Sequence, residues 1–348
     1  MKKNFLYAVL AVTVMFNSCK NDFDITEDWK ETMVIVGLLN QSDTVQYIRI
    51  NKAYLGDGDA LVMGGVYDSI NYANTLTVVM NEITNNVVTN TILLNRDTSI
   101  IKPPGVFAYP NQVLYKTNVP LNATKEYELV VTNNETQKIA RSKTKLVKDF
   151  LVVTPTPSQP INFTNPNFNF RVEWLSAVDG RLYNVKIRFY YNEVNKVTLA
   201  IKDTFLDWTF ANQKSGDLQG GETMEISFPG EQFYTFLKSR LEPNDSVWRH
   251  AGKSFAINQM LDFVITVAGE EFSTYMDVIS TTGILQEKPI YTNIENGIGI
   301  FSSRYTQKNV GLYGKTLNNA SIDSLFAGQH TYNLEFCSTS ITSPYFCQ

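Results

Sequence analysis

Phe168-Asn169-Phe170-Arg171-Val172-Glu173-Trp174 alternates apolar and polar residues without a break. A period of two puts Phe170, Val172 and Trp174 on one face of a strand and leaves Arg171 and Glu173 on the other. Asp179-Gly180 supplies a turn, and the alternation resumes with Tyr183, Val185, Ile187 and Phe189 on one face and Lys186 and Arg188 opposite. Two half-buried strands with a turn signal between them predict a hairpin-like pair.

The same period governs the N-terminal part. Met33 to Leu39 is a continuous apolar run of strand length, Val45 to Ile50 alternates in part, and Leu76 to Met80 and Val87 to Leu94 are further strand candidates. Turn-forming residues separate them: Asn40 to Asp43, Gly56-Asp57-Gly58-Asp59, Asn85-Asn86 and Pro103-Pro104-Gly105. The abundance of Phe (21) and Tyr (18) favours strands over helices. Leu121-Asn122-Ala123-Thr124-Lys125-Glu126-Tyr127, running into Glu128-Leu129-Val130-Val131, resembles the tyrosine corner of immunoglobulin-like and fibronectin type III sandwiches, in which a phenol hydrogen-bonds backwards and pins a crossover. Trp174, followed nine residues later by Tyr183, resembles the core hairpin of a fibronectin type III domain.

Helical spacing enters only late in the chain. Phe233, Phe236, Leu237 and Leu241 predict a short helix over 231–241 that ends before Pro243. Leu261 to Val267 reads as a strand, and Phe272, Tyr275, Met276 and Ile279 as one face of a helix over 271–279. Asn293 to Phe301 reads as a glycine-interrupted strand, and 321–326 as a final helical turn. The expected fold is mainly β: an immunoglobulin/fibronectin type III-like β-sandwich, then a second β-rich sandwich domain with inserted short helices. Thr154-Pro155-Thr156-Pro157-Ser158-Gln159-Pro160 is stiff and prone to polyproline II, which places a linker at 151–160 between domains at 31–150 and 161–348.

The first nineteen residues say where the chain works. Lys2-Lys3 precede an apolar run from Phe5 to Phe16 that ends at Phe16-Asn17-Ser18-Cys19, the layout of an export signal over 1–18. The run is too short for the ~20 residues of a bilayer span. A cysteine at the cut site resembles a bacterial lipobox, which implies that Cys19 carries the lipid. Residues 19–30 form an acidic tether, with Asp22, Asp24, Glu27 and Asp28 close behind Cys19. Such a cluster is similar to the surface-export signal of Bacteroidota lipoproteins. The triplets beginning at Asp43, Asp68, Asp245 and Asp323 resemble the O-glycosylation motif of that phylum and equally fit ordinary turn chemistry.

Composition narrows the partners. With 30 basic against 34 acidic residues and a net charge of −4, the chain lacks the basic stripe of a nucleic-acid binder. Cys337 and Cys347, close in sequence in an exported protein, predict a local disulfide. His250 and His330 are the only histidines and show no ligand spacing, so neither a metal site nor a cofactor is expected. Gly252-Lys253-Ser254-Phe255-Ala256 approaches a nucleophile elbow but ends in Ala. Glu173, Asp179, Glu270 and Glu271 carry no spacing that pairs them for glycoside hydrolysis. Gly297 and Gly299 are followed by no Lys-Ser/Thr, so they mark a bulge or a close backbone approach rather than a phosphate loop. No catalytic constellation emerges, and the chain is expected not to be an enzyme.

Tyr291-Thr292-Asn293-Ile294-Glu295-Asn296-Gly297-Ile298-Gly299-Ile300-Phe301 resembles the C-terminal signature of a Bacteroidota outer-membrane lipoprotein family known only as a domain of unknown function. The resemblance implies a surface-facing, lipid-anchored outer-membrane protein that binds an uptake partner or an extracellular ligand. A structural or adhesive role is the alternative, and an extracytoplasmic hydrolase a third reading. Aromatics least explained by periodicity mark the candidate binding surface: Tyr72 in the segment Tyr67 to Tyr72, Tyr109 in Phe107 to Tyr109, and Tyr291 with Phe301 around the glycine-rich signature.

Overall fold

The computed structural model describes residues 32–53, 59–156, 159–253, 259–280, 290–308 and 315–347. The signal peptide, the tether with Cys19, Gly56 to Gly58 and Ser254 lie outside the described residues. The chain forms β1 (Met33–Leu39), β2 (Gln46–Lys52), α1 (Ala60–Gly64), α2 (Tyr67–Ile70), β3 (Leu76–Thr84), β4 (Val87–Leu93), β5 (Asn95–Asp97), β6 (Leu114–Thr117), β7 (Glu126–Asn133) and β8 (Ile139–Lys145). Next come β9 (Val152–Thr154), β10 (Phe170–Leu175), β11 (Leu182–Asn195), β12 (Ile201–Thr209), β13 (Gln213–Lys214), β14 (Thr223–Phe228) and α3 (Glu231–Arg240). Then follow β15 (Val247–Ala251), β16 (Leu261–Ala268), α4 (Glu270–Ser280), β17 (Gly297–Lys308) and α5 (Asn319–Ala327). The protein is mainly β, as the period-two patterning required.

The first eight strands make a sandwich. One sheet runs β1-β2-β6-β5 and the other β4-β3-β7-β8, the order of strands A-B-E-D and C′-C-F-G in an immunoglobulin-like domain. Ile35, Leu39, Ile48 and Ile50 pack against Val78, Met80, Leu129 and Val131 from the facing sheet. Tyr127 opens β7, and its hydroxyl accepts from the Asn122 amide at 2.6 Å, which is the corner that the Leu121 to Tyr127 motif predicts.

The second sandwich sets β9-β10-β14 against β12-β11-β16-β17, with β13 and β15 also paired to β11. This is the A-B-E over C′-C-F-G order of a fibronectin type III domain. The hairpin expected from 168–189 does not form: β10 pairs with β9 and β14, whereas β11 pairs with β12, β13, β15 and β16. Trp174 and Tyr183 meet instead across the core, ring centroids 5.9 Å apart, because the Asp179-Gly180 turn carries the chain from one sheet to the other. The Tyr183 hydroxyl accepts from the Ala177 amide at 2.7 Å and braces that crossover. The stretch read as a linker contains β9, whose Val152 and Thr154 face Trp174 and Glu173. Pro155 is tolerated directly after them because β9 is an edge strand.

β17 belongs to both sandwiches. Its first residues, Gly297 to Ser303, run parallel to Met33 to Leu39, and its last, Arg304 to Lys308, run antiparallel to Val264 to Ala268. Phe301 and the preceding Ile294 therefore fill the first core, although the sequence places them in the 161–348 unit. One ten-stranded sheet results, and β17 is its spine. Twelve residues of strand span about 40 Å. The chain enters at the Gly297 end, where Met33 faces both Gly297 and Lys52.

Candidate functional site

The structure tests the three predicted tyrosines differently. Tyr72 is 5% exposed and packs in the first core, which removes it from any surface. The 51–74 insertion carries no clean period, yet among its described residues it folds as α1 and α2 and buries Ile70, Asn71 and Tyr72. Tyr291 is half-buried, and burial, then the nearby Glu271 and Glu270 carboxylates, push its phenol up. Tyr109 is 54% exposed beside the exposed Phe107.

A concave site lies at the opposite end of the molecule. β10 runs toward Leu175 and β11 begins at Leu182 opposite Ala268, so Phe170 and Phe228 mark the end of the second sandwich farthest from Gly297. A cleft of about 420 Å³ opens there, between the segment 163–169, the start of α3 and the residues after α5. Phe163 forms the buried floor, stacked on Phe233 at 4.6 Å, while Phe168 stands 73% exposed at the rim. Gly230 caps α3 against the Phe163 backbone: a Cβ there would lie 2.1 Å from the Phe163 oxygen, so only glycine permits this approach.

Polar groups converge on the same cleft. His330 Nε2 lies 2.6 Å from Glu231 Oε1, and the Gln329 amide donates to that oxygen at 3.0 Å. The His330 contact holds the Glu231 carboxyl below the usual carboxylate range. Tyr234 donates to the Ser321 carbonyl at 3.0 Å, and burial pushes its phenol up to about 12. The wall therefore offers an aromatic rim, a fixed carboxylate, an amide and an imidazole, a set that can hydrogen-bond and stack.

Two of the carboxylates singled out in the sequence, Glu173 and Glu271, have separate partners. Glu173 sits 3.4 Å from Arg171, whereas Glu271, half-buried at the start of α4, accepts from Ser302 at 2.8 Å. Burial pushes the Glu271 carboxyl up. Cys337 and Cys347 are joined by a disulfide, with His250 Nδ1 3.5 Å from Cys347 Sγ. In that oxidised state the two sulfurs offer no thiolate to a metal, so the cluster of His250, Cys337 and Cys347 is not a ready site. Among the described residues, no helix is long and apolar enough to cross a membrane.

No family model matches this chain, and no curated protein matches it either. Among solved structures, the C-terminal globular domain of oligosaccharyltransferase from Pyrococcus abyssi aligns at 14% identity over 62% of this chain and 44% of that chain, with a TM-score of 0.23. The chain thus spans less than half the length of that protein, and a likeness this slight carries no argument about function. The cleft residues come from positions around 163–169, 229–234 and 324–330, and nothing in their local patterns announces that the fold joins them.

Proposed function

We propose that the protein is a lipid-anchored outer-membrane lipoprotein facing the cell surface and serving as a ligand-binding accessory in nutrient uptake, without chemistry of its own. The observation that carries this reading is the cleft at the end of the second sandwich, with Phe168 exposed above Glu231, Gln329 and His330. A concave site with an apolar floor and a few convergent polar groups suits a small polar ligand that has one apolar face. The export signal and Cys19 support attachment at the membrane. The alternative, a structural spacer, draws support from β17, which ties the two sandwiches into one sheet.

The test is ligand retention. The purified chain would be incubated with a growth-medium extract, desalted, and analysed by native mass spectrometry beside Phe168→Ala and Glu231→Gln. A mass adduct on the wild type that both variants lose at unchanged melting temperature supports binding in the cleft. No adduct on the wild type, or one that both variants keep, removes this reading and leaves the spacer.

A further inference from the structure

The end of the first sandwich at which the chain enters carries a second feature. The β2–β3 and β5–β6 connections both emerge there and are hydrogen-bonded together, the Ala108 amide donating to the Gly64 carbonyl at 2.9 Å. Along these two connections Leu61 is 68% exposed, Val62 66%, Ile101 75% and Val106 63%, with Phe107 and Tyr109 also exposed. Six large apolar or amphipathic side chains standing out from one pair of joined loops exceed the scattered apolar residues of an ordinary surface.

Position and surroundings say what covers this crest. Thr32, the first described residue, accepts a hydrogen bond from the Ala53 amide at 2.9 Å, and Ala53 lines the groove beneath Phe107. Cys19 lies thirteen positions before Thr32, so even a fully extended tether keeps the lipid within about 45 Å of Thr32, at the crest's end of the sandwich. The Lys102 ammonium lies 5.3 Å from the Phe107 ring, and Lys52 reaches the Asp68 carbonyl at 2.7 Å. Long cationic chains beside apolar tips and a tyrosine are suited to the boundary between headgroups and acyl chains. Asp59 and Asp68 lie on the same β2–β3 connection and offset part of the charge of Arg49, Lys52 and Lys102 around the groove, so apolar burial rather than anionic lipid is the main attraction.

We propose that this crest is a membrane-docking surface, seated in the headgroup–acyl boundary of the leaflet that holds the lipid anchor, with Leu61, Val62, Val106 and Phe107 as its inserted tips. Depths of ~5–10 Å are typical of such interfacial insertion. Seating the crest there stands β17 away from the bilayer and turns the cleft outward. The placement rests on lipid attachment at Cys19, whereas the insertion itself is tested without it.

The experiment uses the processed chain from residue 19 with Cys19→Ser, which retains every described residue, mixed with phosphatidylethanolamine/phosphatidylcholine vesicles. Flotation with the vesicles is expected, equal at low and high salt because burial of apolar surface drives it. Leu61→Asp with Phe107→Asp should weaken partitioning at least tenfold while leaving the melting temperature unchanged. In a companion measurement on the acylated chain anchored in vesicles, Val62→Trp fluorescence should be quenched by lipids brominated near the headgroup. Unquenched Val62→Trp on anchored chain overturns the proposal, as does flotation that the double variant retains. Self-association lost in the double variant, without quenching, assigns the crest to a second copy of the chain and equally overturns it.

Discussion

A Cβ on Gly299 would lie 2.0 Å from the carbonyl oxygen of Ile35, and Gly299 itself holds φ at +117°. The parallel ladder between β1 and β17 depends on this approach, since Ile35 and Gly299 are register partners. Positive φ without steric cost is the property glycine alone brings, and here the contact forbids a side chain as well.

Gly299→Ala should therefore destabilise the chain by about 3 kcal/mol or more, combining backbone strain with a clash against main-chain atoms that cannot rotate away. Gly105→Ala, where nothing lies within 4 Å of the added carbon, is the control and should be neutral. Because β17 sits in both sandwiches, Gly299→Ala should shift one shared unfolding transition. Two separated calorimetric transitions, with only the first moved, would contradict a common sheet.

Tyr127, on strand β7 of the first sandwich, and Tyr183, on strand β11 of the second, make the same kind of backward hydrogen bond from different strands of the two folds. Each hydroxyl accepts from a backbone amide shortly upstream, Asn122 and Ala177 respectively, and each ring is fully buried. Replacing either by Phe leaves that amide without its acceptor, at a cost of about 1–2 kcal/mol. Urea denaturation should show a lower midpoint for both variants at an unchanged slope. A neutral Tyr183→Phe would mean that the crossover at Asp179-Gly180 is held by packing alone.

These two tyrosines also show how far the sequence could be read. Tyr127 was legible because its corner is local: Leu121, Asn122 and the strand it opens lie within a few residues. The alternation around Trp174 and Tyr183 identified strands and inward faces correctly, since period two follows from burial of one face. It misassigned their partner, because a turn at Asp179-Gly180 looks the same whether the next strand pairs or crosses to the facing sheet. The β1–β17 ladder pairs Met33 with Gly297, on strands far apart in the sequence, and no local pattern encodes such a pairing. Tyr72 looked exposed for a related reason: α1 and α2 have five and four residues, too few to display a helical stripe. The cleft was illegible because Phe168, Glu231 and His330 meet only once the second sandwich has closed.

Glu271 gives a pH dependence with a defined direction. Burial raises its folded pKa, so the folded chain binds this proton more tightly than the unfolded chain does. Glu271 then costs nothing below its unfolded value, costs progressively more as pH rises through the interval up to the raised folded value, and costs a constant amount above that. Glu271→Gln keeps a carbonyl oxygen to accept from Ser302 and removes the charge. The variant should melt higher than the wild type at pH 7–8, with the difference shrinking to nothing as pH falls toward 4. A variant that melts lower at pH 8 than at pH 4, relative to the wild type, would show that the ionised carboxylate is stabilising.

Everything proposed about location depends on Cys19, and fatty-acid labelling addresses it in one measurement. Cells expressing the full chain or its Cys19→Ser variant would be grown with a radiolabelled or alkyne-tagged fatty acid, and the protein isolated under denaturing conditions. Label on the wild type and none on Cys19→Ser is the predicted result. An unlabelled wild type, or equal label on both, would contradict lipid attachment at this residue and with it the membrane-anchored role.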